Sequence, residues 1–152
     1  MLIQNRDRRL LAAITTYQRY RDRHDPVSRL KCAWGKMGHI LWSLLSASDI
    51  SREADIHFSV RLPHPTGVVI HGGAVVGPGC MIMQQVTLGQ LAEGGAPFLD
   101  HNVYVGAGAR ILGAVKIGKD ARIGANAVVL TDLPEGATAV GIPARIVRQR
   151  MD

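Results

Sequence analysis

The sequence predicts a mainly β chain, a three-sided parallel solenoid of about four coils behind a short helical N-terminus. Three observations carry this prediction. Aliphatic residues recur every six positions, at Ile70, Val76, Ile82 and Leu88 and again at Val105, Ile111, Ile117, Ile123 and Val129. Four residues after most of these stands a second apolar residue, usually small: Ala74, Cys80, Val86, Ala109, Val115, Ala121, Ala127 and Leu133. Glycine fills 17 of 152 positions, against an average usage of ~7%. A helix of period 3.6 cannot keep a six-residue pattern on one face. A plain strand of period 2 has no need of glycine and alanine at fixed intervals. A coil with three short flat faces requires both.

Each hexad then makes one face and one corner. The aliphatic first position points into the prism, and the small fifth position fits where the interior narrows. Glycine or asparagine near a corner relieves the backbone where φ is positive. Stacked coils hydrogen-bond as parallel strands. First positions counted from Phe58 to Val129 give 12 hexads, or four coils of 18 residues. In this phase His64 occupies a first-position slot, where the lattice wants an aliphatic side chain.

Residues 1–50 follow a helical grammar, with Leu10, Leu11, Ile14, Tyr17 and Tyr20 spaced three or four apart. Asp25-Pro26 interrupts the run. A second helix is expected from about Ser28 to Leu45, with Leu30, Trp34, Met37, Ile40, Leu41 and Leu44 on its apolar side and Gly35 and Gly38 weakening it. The chain divides into a helical region, 1–50, and a β-helix, 51–152, carrying a loop at 89–98.

The net charge of +6 is uneven. Residues 1–50 hold nine Lys/Arg and four Asp/Glu, a net of +5; the remainder holds nine and eight, a net of +1. Charges of both signs alternate along the arm at Arg21, Asp22, Arg23 and Asp25, which reads as a solvated helix face, and no nucleic-acid motif accompanies them. Two cysteines, Cys32 and Cys80, imply no disulfide framework. Without a signal-peptide core or an apolar run of ~20 residues, a cytoplasmic location is expected. No metal site is expected.

Five extra residues enter the lattice in GQLAEGGAPF, 89–98, between Leu88 and Leu99. Insertions in solenoids fall on loops and often on the functional face. His64, flanked by Pro63 and Pro65, is the candidate proton acceptor, because imidazole titrates near neutrality and a neutral hydroxyl is a poor nucleophile. His57, His71 and His101 are rivals. His24 and His39 belong to the arm.

The segments PHPTGVVIHGGAVVGPGCMIMQQVTLG (63–89), VYVGAGARILGAVKIGKDARIGANAVVL (103–130) and GIPARIV (141–147) resemble the serine acetyltransferase branch of the hexapeptide-repeat acyltransferases. The resemblance covers about residues 20–148. It implies a left-handed parallel β-helix, acetyl-CoA as co-substrate with no permanently bound cofactor, and a homotrimer with donor grooves between subunits. His64 matches the family's catalytic histidine, and Asp25 of RHDP matches an aspartate near the amino-acid substrate. Gly89, Ala107, Arg122 and Ala125 match positions that line the CoA tunnel.

Departures from the family pattern bear on the acceptor. The family's aspartate before the catalytic histidine is here Pro63. Its Arg-His-Pro triplet in the loop, whose arginine holds the serine carboxylate, is here Gly95-Ala96-Pro97. About one hexad is missing between Ile56 and His64. This pattern resembles the short members that acetylate sugars or polysaccharide precursors, so a sugar or similar polyol is the expected acceptor. A serine O-acetyltransferase is the alternative, and a non-catalytic β-helix partner subunit is a third reading. With Pro63 in place of the carboxylate, Asp25 is the candidate to orient His64, from its own arm or from a neighbouring subunit. Asp55 and Asp100 are weaker candidates.

Overall fold

The computed structural model describes residues 5–149. Two helices come first, α1 (Arg6–Tyr20) and α2 (Pro26–Ser46). Fourteen short strands follow. They are β1 (Asp49–Ile50), β2 (Asp55–Ile56), β3 (Val69–Ile70), β4 (Val75–Val76), β5 (Met81–Ile82), β6 (Thr87–Gly89) and β7 (Phe98–Leu99). Next come β8 (Tyr104–Val105), β9 (Arg110–Leu112), β10 (Lys116–Ile117), β11 (Arg122–Ile123), β12 (Val128–Val129), β13 (Ala137–Gly141) and β14 (Ala144–Gln149).

The strands stack into three faces. The first runs β1-β3-β6-β9-β12 and the second β2-β4-β7-β10; the third runs β5-β8-β11-β13-β14. All neighbours are parallel except the closing β13–β14 hairpin. In register, Ile50, Ile70, Leu88, Ile111 and Val129 form one interior column. Every first-position aliphatic from Ile70 to Val129 is buried, and so are the fifth-position residues named above. Five turns result, one more than the sequence count, because the lattice begins earlier than Phe58.

The extra turn comes from a correction of phase. Ile50 and Ile56 occupy interior columns, paired with Ile70 and Val76, and Leu62, beside the Arg61–Met81 bridge, continues the series. Ala54 and Val60 are their buried fifth positions. Phe58 is 80% exposed and outside the lattice. The first-position slot assigned to His64 belongs to Leu62, which is fully buried, whereas His64 is exposed. Leu62 and Ile70 are eight residues apart instead of six. The corner carrying His64 is thus two residues longer than the regular six-residue corners.

Corners repeat one device. At the corner from the third face to the first, Gly67, Gln85, Gly108 and Asn126 all take positive φ, from 57° to 71°. Glycine and asparagine tolerate this conformation. The residue before each offers its carbonyl to the turn below: Gln85 donates to Thr66 O, Gly108 to Gln84 O and Asn126 to Ala107 O, at 2.8–3.0 Å.

The helices close the open end. Leu10, Leu11 and Ile14 of α1 join the core, and Gln18 Nε2 donates to the carbonyls of Arg52 and Ala54 at 2.7 and 2.9 Å. This covers a sheet edge that would otherwise present unpaired groups. α2 begins two residues before the expected Ser28. Asp25 is its N-cap, accepting from Ser28 N at 2.9 Å, and Pro26 opens the helix. Its buried residues are Ser28, Gly35 and Ser46. A Cβ on Gly35 would lie 2.7 Å from Tyr17 N, so the two helices touch backbone to backbone there. The expected apolar side of α2 does not face the core: Leu30, Trp34, Met37, Ile40, Leu41 and Leu44 are 52–74% exposed. None of the described helices is long and apolar enough to cross a membrane.

Candidate functional site

His64 sits on the corner between the third and first faces, in the expanded stretch Pro63-His64-Pro65. Proline on both sides holds this stretch extended. Pro65 is buried and its carbonyl accepts from Val68 N at 3.2 Å, which anchors the bulge. Its exposed imidazole is thereby presented outward. Four other histidines have hydrogen-bond partners. His39 binds Ile50 O, His57 binds Ser59 Oγ, His71 accepts from Gly73 N and His101 binds the Asp100 carboxylate. His64 has no such partner among the described residues, which leaves both ring nitrogens available.

Below His64 on the same corner lie Thr66, Gln84, Ala107 and Ala125, one per turn. Ala107, half-buried, and Ala125, exposed, therefore form a ledge of small side chains on the corner that carries the histidine. The turns approach closely here: a Cβ on Gly106 would be 2.6 Å from Ala125 N. Gln84 was not singled out from the sequence. Its Oε1 is shielded from solvent without a hydrogen-bond partner among the described residues. Its offset of two from Ile82, the same as that of Ala107 from Val105, was the available signal.

The other donor-side residues lie elsewhere. Gly89 ends β6 at the opposite edge of the first face, paired with Leu112, where the 89–98 loop departs. Arg122 stands at the start of β11, its guanidinium 5.4 Å from the Tyr104 ring centroid. It lines a cavity of about 620 Å³ with Asn102, Asp120, Glu135, Thr138 and Arg148. One chain thus gathers His64, Ala107 and Ala125 at one corner but leaves Gly89 and Arg122 at others.

The loop is tightly folded. Leu91 and Gly94 form an antiparallel bridge, and Gly94 and Gly95 have φ of 85° and 78°. A Cβ on Gly95 would meet Ala114 Cβ at 2.5 Å. In this conformation the position cannot carry the family's arginine, or any side chain.

Two of the three candidate orienting carboxylates accept hydrogen bonds within the chain. Asp25 caps α2, and the hydrogen bonds from Ser28 hold its pKa below the usual carboxylate value. Asp100 is likewise lowered, first by its side-chain hydrogen bond to His101. Asp55 lies in β2, on the second face, where it pairs with Val75. Cys80 is buried, its Sγ 2.9 Å from Asp100 O, and burial pushes its thiol up to about 11. No cluster of three or more His, Cys, Asp or Glu able to hold a metal occurs among the described residues.

Residues 98–131 match the family model for the bacterial transferase hexapeptide repeat. The serine acetyltransferase of Synechococcus elongatus is 44% identical over 107 residues, covering 68% of this chain and 44% of its own length. That of Mycobacterium tuberculosis is 38% identical over 135 residues, covering 76% of this chain and 59% of its own. The chain thus spans about half the length of the curated relatives it matches. A solved serine acetyltransferase in complex with CoA superposes with a TM-score of 0.71 at 38% identity, over 89% of this chain and 55% of that one. The Neisseria gonorrhoeae enzyme in complex with serine gives 0.73 at 32%, over 90% and 54%. The six-residue lattice, the shared fold and the shared residues converge: this chain belongs to the serine acetyltransferase branch of the hexapeptide-repeat acyltransferases.

Proposed function

We propose that this protein is an O-acetyltransferase that moves the acetyl group of acetyl-CoA to the hydroxyl of a small polar acceptor, with His64 as general base. The observation that carries this reading is the corner itself: an outward, unpartnered imidazole stacked above a ledge of small residues at Ala107 and Ala125. His64 accepts the hydroxyl proton as the oxygen attacks the thioester carbonyl. The carbon–sulfur bond breaks, the proton passes to the departing sulfur, and an acetyl ester and free CoA result. Such general-base assistance is typically worth 10²–10⁴-fold. The bare ledge fits an extended ligand, and Arg110, exposed at the start of β9, is a cation available to its phosphates. Gly89 and Arg122 join this site from a neighbouring subunit, so the working unit is a homotrimer. Asp25 of a neighbour remains the candidate to orient His64.

For the acceptor, the relatives favour serine. The sugar or polysaccharide preference read from the sequence finds no support among them. One observation keeps a neutral hydroxyl compound as a second reading: Gly95 leaves no room for an arginine to grip a carboxylate. A panel of serine, homoserine and nucleotide sugars, incubated with acetyl-CoA and followed by release of free CoA thiol, is the test. Serine-dependent release supports the first reading, and release with a sugar alone supports the second. No release with any hydroxyl compound overturns both.

A further inference from the structure

We propose that the cleft between α1 and the first turn of the prism binds a nucleotide. The cleft is a cavity of about 920 Å³, in the size range of small-molecule sites. Two buried residues, Leu11 and Val60, give it an apolar floor. Three exposed arginines line it: Arg8 and Arg19 from α1, and Arg61 from the start of the third face. One carboxylate, Asp7, stands against them. None of the three guanidiniums has an ion-pair, hydrogen-bond or aromatic partner among the described residues. The other two arginines of α1 lie outside the cavity and are engaged. Arg6 donates to Leu45 O at 2.8 Å, and the Arg9 guanidinium is 5.0 Å from the Trp42 ring centroid. Unpaired guanidiniums gathered around one concavity call for an anion, and phosphate suits them best.

The lining says more about the ligand than its charge. Arg8, Ala12, Thr15 and Arg19 follow one another at intervals of four, three and four, which puts them on one stripe of the helix. The two arginines stand roughly 16 Å apart along α1, a span suited to an extended ligand rather than a lone phosphate. Phe58 supplies a partner for a ring. It is 80% exposed and outside the lattice, yet it is held in place. Its ring lies 4.3 Å from that of His57, whose Nδ1 is hydrogen-bonded to Ser59 Oγ at 2.8 Å, and Gly79 N donates to the same hydroxyl. A fixed aromatic face beside arginines suits stacking by a nucleobase. Thr15 and Thr16 donate their hydroxyl protons to Leu11 O and Ala12 O, so their lone pairs remain to accept from amino or ribose hydroxyl groups. Phe58 and Ser59 belong to the corner between the second and third faces. His64 stands at the other end of the third face, so this site does not rest on the acetyl-transfer reading.

Isothermal titration calorimetry on the full chain tests the assignment, with ADP and UDP as nucleotide probes and inorganic tripolyphosphate as the probe without a base. CoA is present in excess throughout, because its own nucleotide end could otherwise be mimicked by ADP. At least one nucleotide should bind. Arg19→Gln with Arg61→Gln should weaken that binding by about tenfold or more for each arginine lost, with an unchanged melting temperature as the control for folding. Phe58→Ala should weaken nucleotide binding by about fivefold or more and leave tripolyphosphate binding as it was. No binding of either nucleotide at millimolar concentration overturns the proposal. An affinity unmoved in the folded double variant overturns it too, since the nucleotide is then held elsewhere. Nucleotide binding that survives Phe58→Ala unchanged makes the cleft a site for phosphate alone and overturns the nucleotide assignment.

Discussion

Leu62 and Pro63-His64 stand side by side in the sequence, yet alanine at 62 and alanine at 64 should have opposite consequences. Leu62 is fully buried in the first turn. Its truncation removes packed aliphatic carbon and should cost about 2–5 kcal/mol. For a chain of this size each kcal/mol moves Tm by about 2–4 °C, so the loss should be roughly 4–20 °C. His64 is exposed and makes no hydrogen bond within the described chain. His64→Ala should change stability by no more than about 0.5 kcal/mol, or 1–2 °C, while turnover falls by about two to four orders of magnitude. Calorimetry and CoA-thiol release on the two variants give both readouts. If His64→Ala melts early and Leu62→Ala does not, the six-residue phase runs through His64 and the expanded corner is wrong. If His64→Ala melts normally and still transfers acetyl, the proton acceptor is elsewhere, and His71, exposed on the first face, is tested next.

CoA at 100 times its Kd should stabilise the protein by about 2.7 kcal/mol; Ala125→Trp should abolish this thermal shift in differential scanning fluorimetry without altering the mass of the assembly. Asp25 has a lowered pKa in the folded state, chiefly from the Ser28 hydrogen bonds. Its stabilising charge is therefore present above the unfolded value near 3.9 and is lost as pH falls through the folded one. The Tm difference between wild type and Asp25→Asn should accordingly hold steady from neutral pH to about pH 5 and shrink below about pH 4; a difference that grows in acid contradicts the cap. With its thiol pushed up to about 11, Cys80 should resist a disulfide reagent at pH 8 while half-buried Cys32 reacts, and the second thiol should appear only in denaturant.

The solenoid was legible because its period is imposed by steric demands at every turn: Ile70 to Val129 and their fifth-position partners all face inward. The phase was lost at one place. Counting back six from Ile70 lands on His64, whereas the true interior residue is Leu62, eight back. The expansion is invisible to a count from below, although Ile50, Ile56 and Leu62, with Ala54 and Val60 between them, carry the same period from above. The apolar side of α2 is the one the spacing predicts, but what it faces was not legible. Leu30, Trp34 and Met37 stay exposed because the helix approaches α1 through Gly35, where the absence of a Cβ permits backbone contact. Gly35, which weakens the helix by propensity, is the contact. The sequence names His64, Ala107 and Ala125 singly. That they share a corner follows only from which turn lies on which, and the occupation of Asp25 and Asp100 by local hydrogen bonds depends on side-chain placement that spacing does not specify.

A solenoid places residues of equal offset in a column, and that geometry constrains what this corner can hold. Successive turns rise by about 4.8 Å. Ala107 therefore lies roughly 10 Å, and Ala125 roughly 14 Å, along the axis from the turn that carries His64. A ligand touching both the histidine and Ala125 must be extended and run parallel to the prism axis. Its reactive end and its anchoring end are then held by different turns, with Gln84 between them. Substitutions at corner positions change what the ledge offers without disturbing the interior columns, because the corner side chains at 64, 84, 107 and 125 are not part of the core. The interior needs only aliphatic volume and a small residue at each narrowing, so the lattice is indifferent to what the corner displays. Chemistry and stability are therefore separable in this fold, one set by offset-two residues and the other by the first and fifth. The two-residue expansion at Pro63–Pro65 is where they meet: it lifts one side chain off the lattice while Leu62 and Val68 keep the column closed.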